Sequence, residues 1–400
     1  MKKFTILLTA LSLVAACKTS QKTAKGTPDN PIYLDPMELV ITPPPAYQAT
    51  AQKDMDILHT KLAVAFDWEK QRLNGTATLT VKPYFYPQNT LILDAKSFDI
   101  HQIALLKNNA IAQDLSYTYD SLKIKIQLDK TYSRNDTFMV LINYTAKPNE
   151  RKTGGSNAIS EDKGLYFINA DGKDTSKPTQ VWTQGETEAN SCWFPTIDKP
   201  NEKSTEEIYI TVDNKYTTLS NGLLISSTDN KNGTRTDYWK MDLPHSVYLF
   251  MLAAGEFEII KDKWRNIAVD YYVEPFNAKN AKRIFGETPQ MLEFFSTRLG
   301  VDYPWQKYAQ IIVRDYVSGA MENTTDTLHG EFINRTEKEL VDEDYHDIVA
   351  HELFHHWFGD LVTAESWSNL PLNESFADYS EYLWNEHPCR AGSFGSSWSG

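Results

Sequence analysis

Two histidines and a glutamate stand close together at His351-Glu352-Leu353-Phe354-His355. On a helix, positions i and i+4 share one face, so both imidazoles can reach a single cation. The carboxylate of Glu352, next to the first histidine, can take a proton from a water that such a cation acidifies. A catalytic zinc takes three protein ligands and keeps one position open, so a third ligand must come from elsewhere. Eighteen residues, 356–373, separate His355 from Glu374, where a second helical pattern begins. That gap lets the first helix end near Gly359, a loop follow, and a second helix deliver Glu374. The spacing predicts one Zn2+ per chain on His351, His355 and Glu374, with Glu352 as general base. Asp378, one turn beyond Glu374, is expected to accept the outer N–H of a ligand histidine and so fix its tautomer. His356 and His346 fall on other faces and stay outside the ligand set.

The elements that must hold these residues follow from the hydrophobic period. Ala281, Ile284, Phe285, Met291, Leu292, Phe295 and Leu299 recur at helical spacing, with Gly300 as a stop. Pro289 is expected to kink or divide that helix. Residues 309–313 read as a strand. After Pro371, the residues Phe376, Tyr379, Tyr382 and Leu383 mark the second helix, with the two tyrosines as packing residues. From about 59 to 258 the period is two. Leu122, Ile124, Ile126 and Leu128 alternate with polar residues, the pattern of a strand with one wet face. Residues 73–81, 138–144 and 208–212 are further strands, and Asn221-Gly222 and Asn232-Gly233 read as hairpin turns. The fold class is therefore multidomain α+β, with a mostly antiparallel β domain over 56–258 and a catalytic region over 259–386.

Residues 1–17 read MKKFTILLTALSLVAAC. Lys2 and Lys3 precede an apolar run too short to span a bilayer. Val14-Ala15-Ala16-Cys17 resembles a bacterial lipobox, in which the cysteine receives lipid and becomes residue one. The expectation is a signal peptide over 1–17, lipidation at Cys17, and a flexible tether over 18–55 rich in Lys, Thr, Ser, Gln and Pro. The chain is then anchored to a membrane of the bacterial cell envelope, on the periplasmic or cell-surface side. In 400 residues, 41% hydrophobic and 12% aromatic content supplies large cores and rules out global disorder. A net charge of −13 argues against nucleic acid as a partner. Three cysteines, one of them used in processing, exclude a disulfide framework.

Three blocks together resemble the zinc aminopeptidases of the aminopeptidase N type, peptidase family M1. One is His351-Glu352-Leu353-Phe354-His355 with Glu374 after its gap. The second is Gly319-Ala320-Met321-Glu322-Asn323, which matches the exopeptidase signature of that family. The third is Gln184-Gly185-Glu186, followed by Trp193-Phe194-Pro195 and Asp198-Lys199-Pro200. The resemblance covers about residues 56 to 386. It implies a saddle-like β domain followed by the first part of a thermolysin-like zinc-peptidase domain. It also implies that Glu322, assisted by Glu186, binds the free α-amine of a peptide, and that Gly319, Ala320, Met321 and Asn323 belong to the same substrate-binding segment. Peptides with a free N-terminus are then the partners.

The chain departs from that family in places. Ser375 stands where glycine is usual, and Asn369 where aspartate is frequent. The family places a catalytic tyrosine several tens of residues after the third ligand, whereas 26 residues follow Glu374 here. Residues 387–400 hold no Lys, Asp or Glu and form an atypical tail. The expectation is a C-terminally truncated member. The alternative to an active aminopeptidase is then a weak or inactive lipoprotein that retains zinc and peptide binding.

Overall fold

The period-two segments of the first half assemble into three sheets in a computed structural model, which describes residue 50 and residues 52–387. The signal peptide, Cys17, nearly all of the tether and the tail after His387 lie outside the described residues. The largest sheet has eight strands. Their order is Leu223–Asp229, Thr234–Ser246, Lys203–Asp213, Met55–Asp67, Arg72–Pro83, Phe138–Ala146, Phe98–Lys107 and Ala110–Asp114. Only the pair Met55–Asp67 and Lys203–Asp213 is parallel; the other pairs in this sheet are antiparallel. A three-stranded and a four-stranded antiparallel sheet complete this mostly β half.

Strand Lys123–Tyr132 follows the expected alternation, burying Ile124, Ile126 and Leu128 between exposed Lys123, Lys125 and Gln127. Leu122 does not join them and is 56% exposed. The Asp120 carboxylate accepts the N–H groups of Leu122 and Lys123 at 2.9 and 2.6 Å, which closes a turn before the strand starts. Asn232-Gly233 lies at the tip of an antiparallel hairpin, but Asn221-Gly222 does not form one. It carries the chain from the four-stranded sheet to the edge of the eight-stranded one. Gly222 has φ +74°, and a Cβ there would meet Lys240 O at 2.0 Å. The Asn221 amide meanwhile donates to Leu249 O and Thr324 O at 3.0 and 2.6 Å.

A five-stranded mixed sheet follows, in the order Glu258–Trp264, Ile267–Val273, Lys307–Val313, Asp326–Gly330, Ala320–Met321. Its strand Lys307–Val313 is buried at every position. Ala309, Ile311 and Val313 join the core of the β half, while Tyr308 and Ile312 join the core beneath the helices. Burial on both faces makes this sheet a shared wall, so the helices are fixed to the β half through one continuous interior.

Among the described residues four helices pack on the far side: α1 (Ala281–Phe285), α2 (Thr288–Leu299), α3 (His346–Phe354) and α4 (Pro371–Asn385). Pro289 divides the first helical pattern as expected, because it sits in the first turn of α2, where its missing N–H costs nothing. Gly300 ends α2 in the left-handed conformation, φ +67°. On α4 the sequence reading chose the wrong face. Phe376, Tyr379 and Tyr382 are 44%, 54% and 53% exposed. The buried face is Asn373, Ala377, Ser380 and Trp384. Apart from Trp384 these residues are smaller or more polar, and Ser380 and Ala377 let α4 lie close to α3: the Ser380 hydroxyl reaches Ala350 O at 3.3 Å. His387, assigned to the atypical tail, packs its ring on Trp384 and Phe294.

Candidate active site

Helix α3 buries Val349, Ala350, Glu352, Leu353 and Phe354, and α4 packs along it at Ala350. Close packing of the two helices brings three donor atoms together. His351 Nε2 and His355 Nε2 are 3.1 Å apart, and Glu374 Oε2 lies 3.6 Å from each. Zinc bonds of about 2.0–2.1 Å in a tetrahedron separate neighbouring ligand atoms by about 3.4 Å. Donor types and spacing therefore fit one zinc ion on the three predicted ligands.

The outer ring nitrogens set the orientation. His355 Nδ1 faces Phe358 O at 3.0 Å, and His351 Nδ1 faces Glu381 Oε1 at 2.8 Å. Each contact holds the proton on Nδ1 and leaves Nε2 free to ligate. The expectation that Asp378 makes this contact is corrected. Asp378 Oδ1 stands 3.4 Å from His351 Nδ1 and its side chain is 71% exposed, so Glu381 holds the hydrogen bond. Glu374, Asp378 and Glu381 follow at i, i+4 and i+7, one acidic stripe along α4. That stripe was the available signal, and the third member was missed because only the first turn was considered.

Glu352 is buried. Burial pushes its carboxyl up to about 7, against the pull of His351 and His355. One donor atom each from Glu322, Glu352 and His355 lie within 4.8 Å of one another, so the predicted base and the predicted amine-binding residue share one cluster. Glu322 follows the strand Ala320–Met321, which lies at the edge of the five-stranded sheet and pairs on one side only. Gly319 O is taken by Gly330 N at 3.0 Å, so that carbonyl serves the sheet. Met321 Sδ touches Gln184 Nε2 at 3.2 Å, which ties this segment to the loop of Glu186. Asn323 is fully buried beneath it. Gly185 has to be glycine, since a Cβ there would meet Tyr248 O at 2.1 Å. That close approach directs Glu186 to the site.

Burial raises the Glu186 carboxyl well above the usual range, and Glu322 and Glu374 add to it. Burial likewise raises Glu322, against the opposing effect of His355. Glu374 goes the other way. Burial would raise it, but His351 and His355 hold it down to about 2.

Besides Glu381, two further residues of the site were not foreseen. Tyr248, fully buried, donates its hydroxyl to Glu322 Oε1 at 3.1 Å. Asn373 Nδ2 in turn donates to Tyr248 Oη at 3.2 Å, while Asn373 Oδ1 accepts Ala364 N at 3.0 Å. This chain of bonds joins the segment of Glu322 to the first turn of α4, one residue from Glu374. Nothing local in the apolar run around Tyr248 signals such a role. His356, kept out of the ligand set, indeed turns inward, with Nε2 accepting Thr325 N at 3.2 Å. His346 faces Glu287 and Asp344 instead of the site.

Comparison with known proteins places this geometry in context. A profile described as the Peptidase M1 N-terminal domain matches residues 44–249, and one described as the Peptidase family M1 domain matches residues 284–398. Aminopeptidase 2, mitochondrial, of Saccharomyces cerevisiae is 28% identical over 341 residues, 82% of this chain and 34% of that protein. Endoplasmic reticulum aminopeptidase 1 of Homo sapiens is 25% identical over 383 residues, 94% of this chain and 39% of that protein. The chain thus spans well under half the length of these curated relatives. Among solved structures, a two-domain M1 zinc metallopeptidase mutant bound to L-tryptophan superposes with TM-score 0.70 at 21% identity, covering 85% of this chain and 73% of that one. The M1 zinc metallopeptidase from Deinococcus radiodurans gives 0.66 at 21% identity, covering 84% and 72%. Both share the fold.

Proposed function

The chain belongs to peptidase family M1, and from the geometry of its site we propose that it is a zinc-dependent aminopeptidase, removing N-terminal residues from peptides. One observation carries this reading: Glu322, the base Glu352 and the ligand His355 meet within 4.8 Å. Recognition of an amine and chemistry at the adjacent peptide bond then happen in one place.

A zinc ion on His351, His355 and Glu374 supplies Lewis-acid polarisation of the scissile carbonyl and acidifies a water. The chain's own residues do the rest. Glu352, raised to about 7, takes a proton from the attacking water and returns it to the leaving amine near neutral pH. Glu322 and Glu186 pair with the substrate's α-ammonium, a charge-assisted contact that only a free N-terminus makes. Tyr248 holds Glu322, and Gln184 holds the segment before it, at that end. The edge strand Ala320–Met321 offers backbone groups to an extended peptide. Glu381 and Phe358 O hold the two imidazoles in the ligating tautomer.

The same proposal includes the address. Acylated at Cys17, the mature chain is held on a membrane of the bacterial cell envelope. The test is hydrolysis of aminoacyl chromogenic substrates by the 400-residue chain, with and without a chelator, beside N-acetylated substrates and a measurement of zinc content. Chelator-sensitive cleavage of free-amine substrates alone is expected. A zinc-loaded chain that binds amino acid amides but releases no product would instead support the binding lipoprotein.

A further inference from the structure

Strand Arg72–Pro83 leaves the eight-stranded sheet at Pro83, and the next three residues are aromatic: Tyr84, Phe85 and Tyr86, closed by Pro87. They are 52%, 56% and 64% exposed. Phe85 and Tyr86 touch each other edge to face at 5.0 Å, so the tip has its own packing but no cover. Three consecutive exposed aromatic side chains between two prolines form a contiguous apolar patch, which marks a contact surface.

The surroundings say what kind of surface. Lys53 Nζ lies 5.3 Å from the Tyr84 ring centre and the Arg134 guanidinium 5.6 Å from that of Phe85. Lys82 precedes the tip, and Lys130 lies over Tyr132. Lys53 and Lys82 are shared with Asp56, and Lys53 also with Glu202. Among the described residues Arg134 has no carboxylate partner. Tyrosine rings settle at the level of lipid headgroups, phenylalanine reaches the boundary with the acyl chains, and arginine and lysine beside them favour anionic headgroups. The chain also enters the fold here: Tyr84 N donates to Asp54 O at 2.9 Å. Gln52 is 35 residues beyond Cys17, a stretch that reaches at most about 125 Å. A lipid on Cys17 would therefore keep the domain near the surface without fixing which end faces it. Held at that high local concentration, even a weak second contact is occupied.

We infer that the loop of Tyr84, Phe85 and Tyr86 is an interfacial membrane contact, which orients the tethered domain with this end on an anionic bilayer. The inference rests on the anchor at Cys17 and extends it.

The test uses the full chain, reconstituted into phosphatidylethanolamine and phosphatidylglycerol vesicles whose acyl chains carry bromine, a quencher of tryptophan. Phe85→Trp and Tyr86→Trp report the tip, and the second variant stands in if the first fails to fold. Lys70→Trp reports the turn at the opposite end of the same hairpin. The tip variants are expected to show added emission that brominated lipid quenches at least twofold, with none added by Lys70→Trp. Equal quenching at both ends, or none at the tip, overturns the inference. Intact mass reads the acylation of Cys17 separately. An unmodified cysteine sinks the anchor alone, and quenching is then read on chain added to preformed vesicles.

Discussion

Glu374 and Glu322 flank the same histidine, His355, yet the protein treats their carboxyls in opposite ways. At the metal end, two imidazoles hold Glu374 down to about 2. At the amine end, burial raises Glu322 and Glu186, and the neighbours of Glu186 are mostly further carboxylates. Tyr248 gives Glu322 a single neutral hydrogen bond. The difference teaches what each end is for. A carboxylate already matched by ring nitrogens is a ligand in a preformed set. Carboxylates crowded together in a buried place, short of positive charge, favour a cation brought by the substrate.

The largest expected effect breaks the link between the two ends. Glu352→Gln should lower turnover about 10²- to 10⁴-fold, the usual contribution of a general base, while zinc content measured by mass spectrometry stays at the wild-type value. Near-normal turnover would remove Glu352 from the chemistry. Next comes Glu322→Gln, which sharpens the contrast at the amine end. Truncating a buried charge pair costs about 2–5 kcal/mol, so affinity for amino acid amides should fall at least about 30-fold. N-acetylated ligands should be unaffected. Because burial and mutual repulsion keep a proton on the Glu186–Glu322 pair, binding an ammonium at pH 7 should release protons. Calorimetry in buffers of different ionisation enthalpy reads this, and the release should shrink in Glu322→Gln, where burial alone still raises Glu186.

The same comparison explains what the sequence could reveal. The metal end is local: His351 and His355 are one turn apart, and Glu374 begins the next helix, so spacing alone carried the ligand set. The amine end is assembled from the segments of Glu186, Tyr248 and Glu322, which neighbour each other only after the sheets form. No periodicity relates them, and only the resemblance to a family brought Glu186 and Glu322 forward. Tyr248 stayed invisible because a buried tyrosine in an apolar run reads as core. The fold shows the same division. Alternation located the strand of Ile124, Ile126 and Leu128, but the crossing at Asn221-Gly222 depends on partners some 28 and 103 residues away. On α4 the large aromatic residues drew the reading to the exposed face, whereas close helix packing selects small side chains such as Ala377 and Ser380.

Within the metal end, Glu381 and Asp378 offer a smaller and cleaner contrast. Glu381→Gln should weaken zinc binding about 10- to 100-fold, the range for a partner that fixes a ligand tautomer. Asp378→Asn, at an exposed side chain, should change it less than about fivefold. Competition with a chromophoric chelator measures both. The reverse order would return the role to Asp378.

The smallest expected effect at the amine end falls on the bridge between the ends. Tyr248→Phe keeps the ring and its packing on Trp367, and removes one hydroxyl between Glu322 and Asn373. A single neutral hydrogen bond contributes about 1 kcal/mol, so affinity for an amino acid amide should fall roughly fivefold. Zinc content should hold, because Asn373 keeps its bond to Ala364 N and α4 keeps its start. A structural defect would instead lower zinc affinity and thermal stability together with amine binding. Loss confined to the amine marks Tyr248 as the residue that aims Glu322, and it shows that the two ends share a hydrogen-bonded link without sharing an electrostatic design.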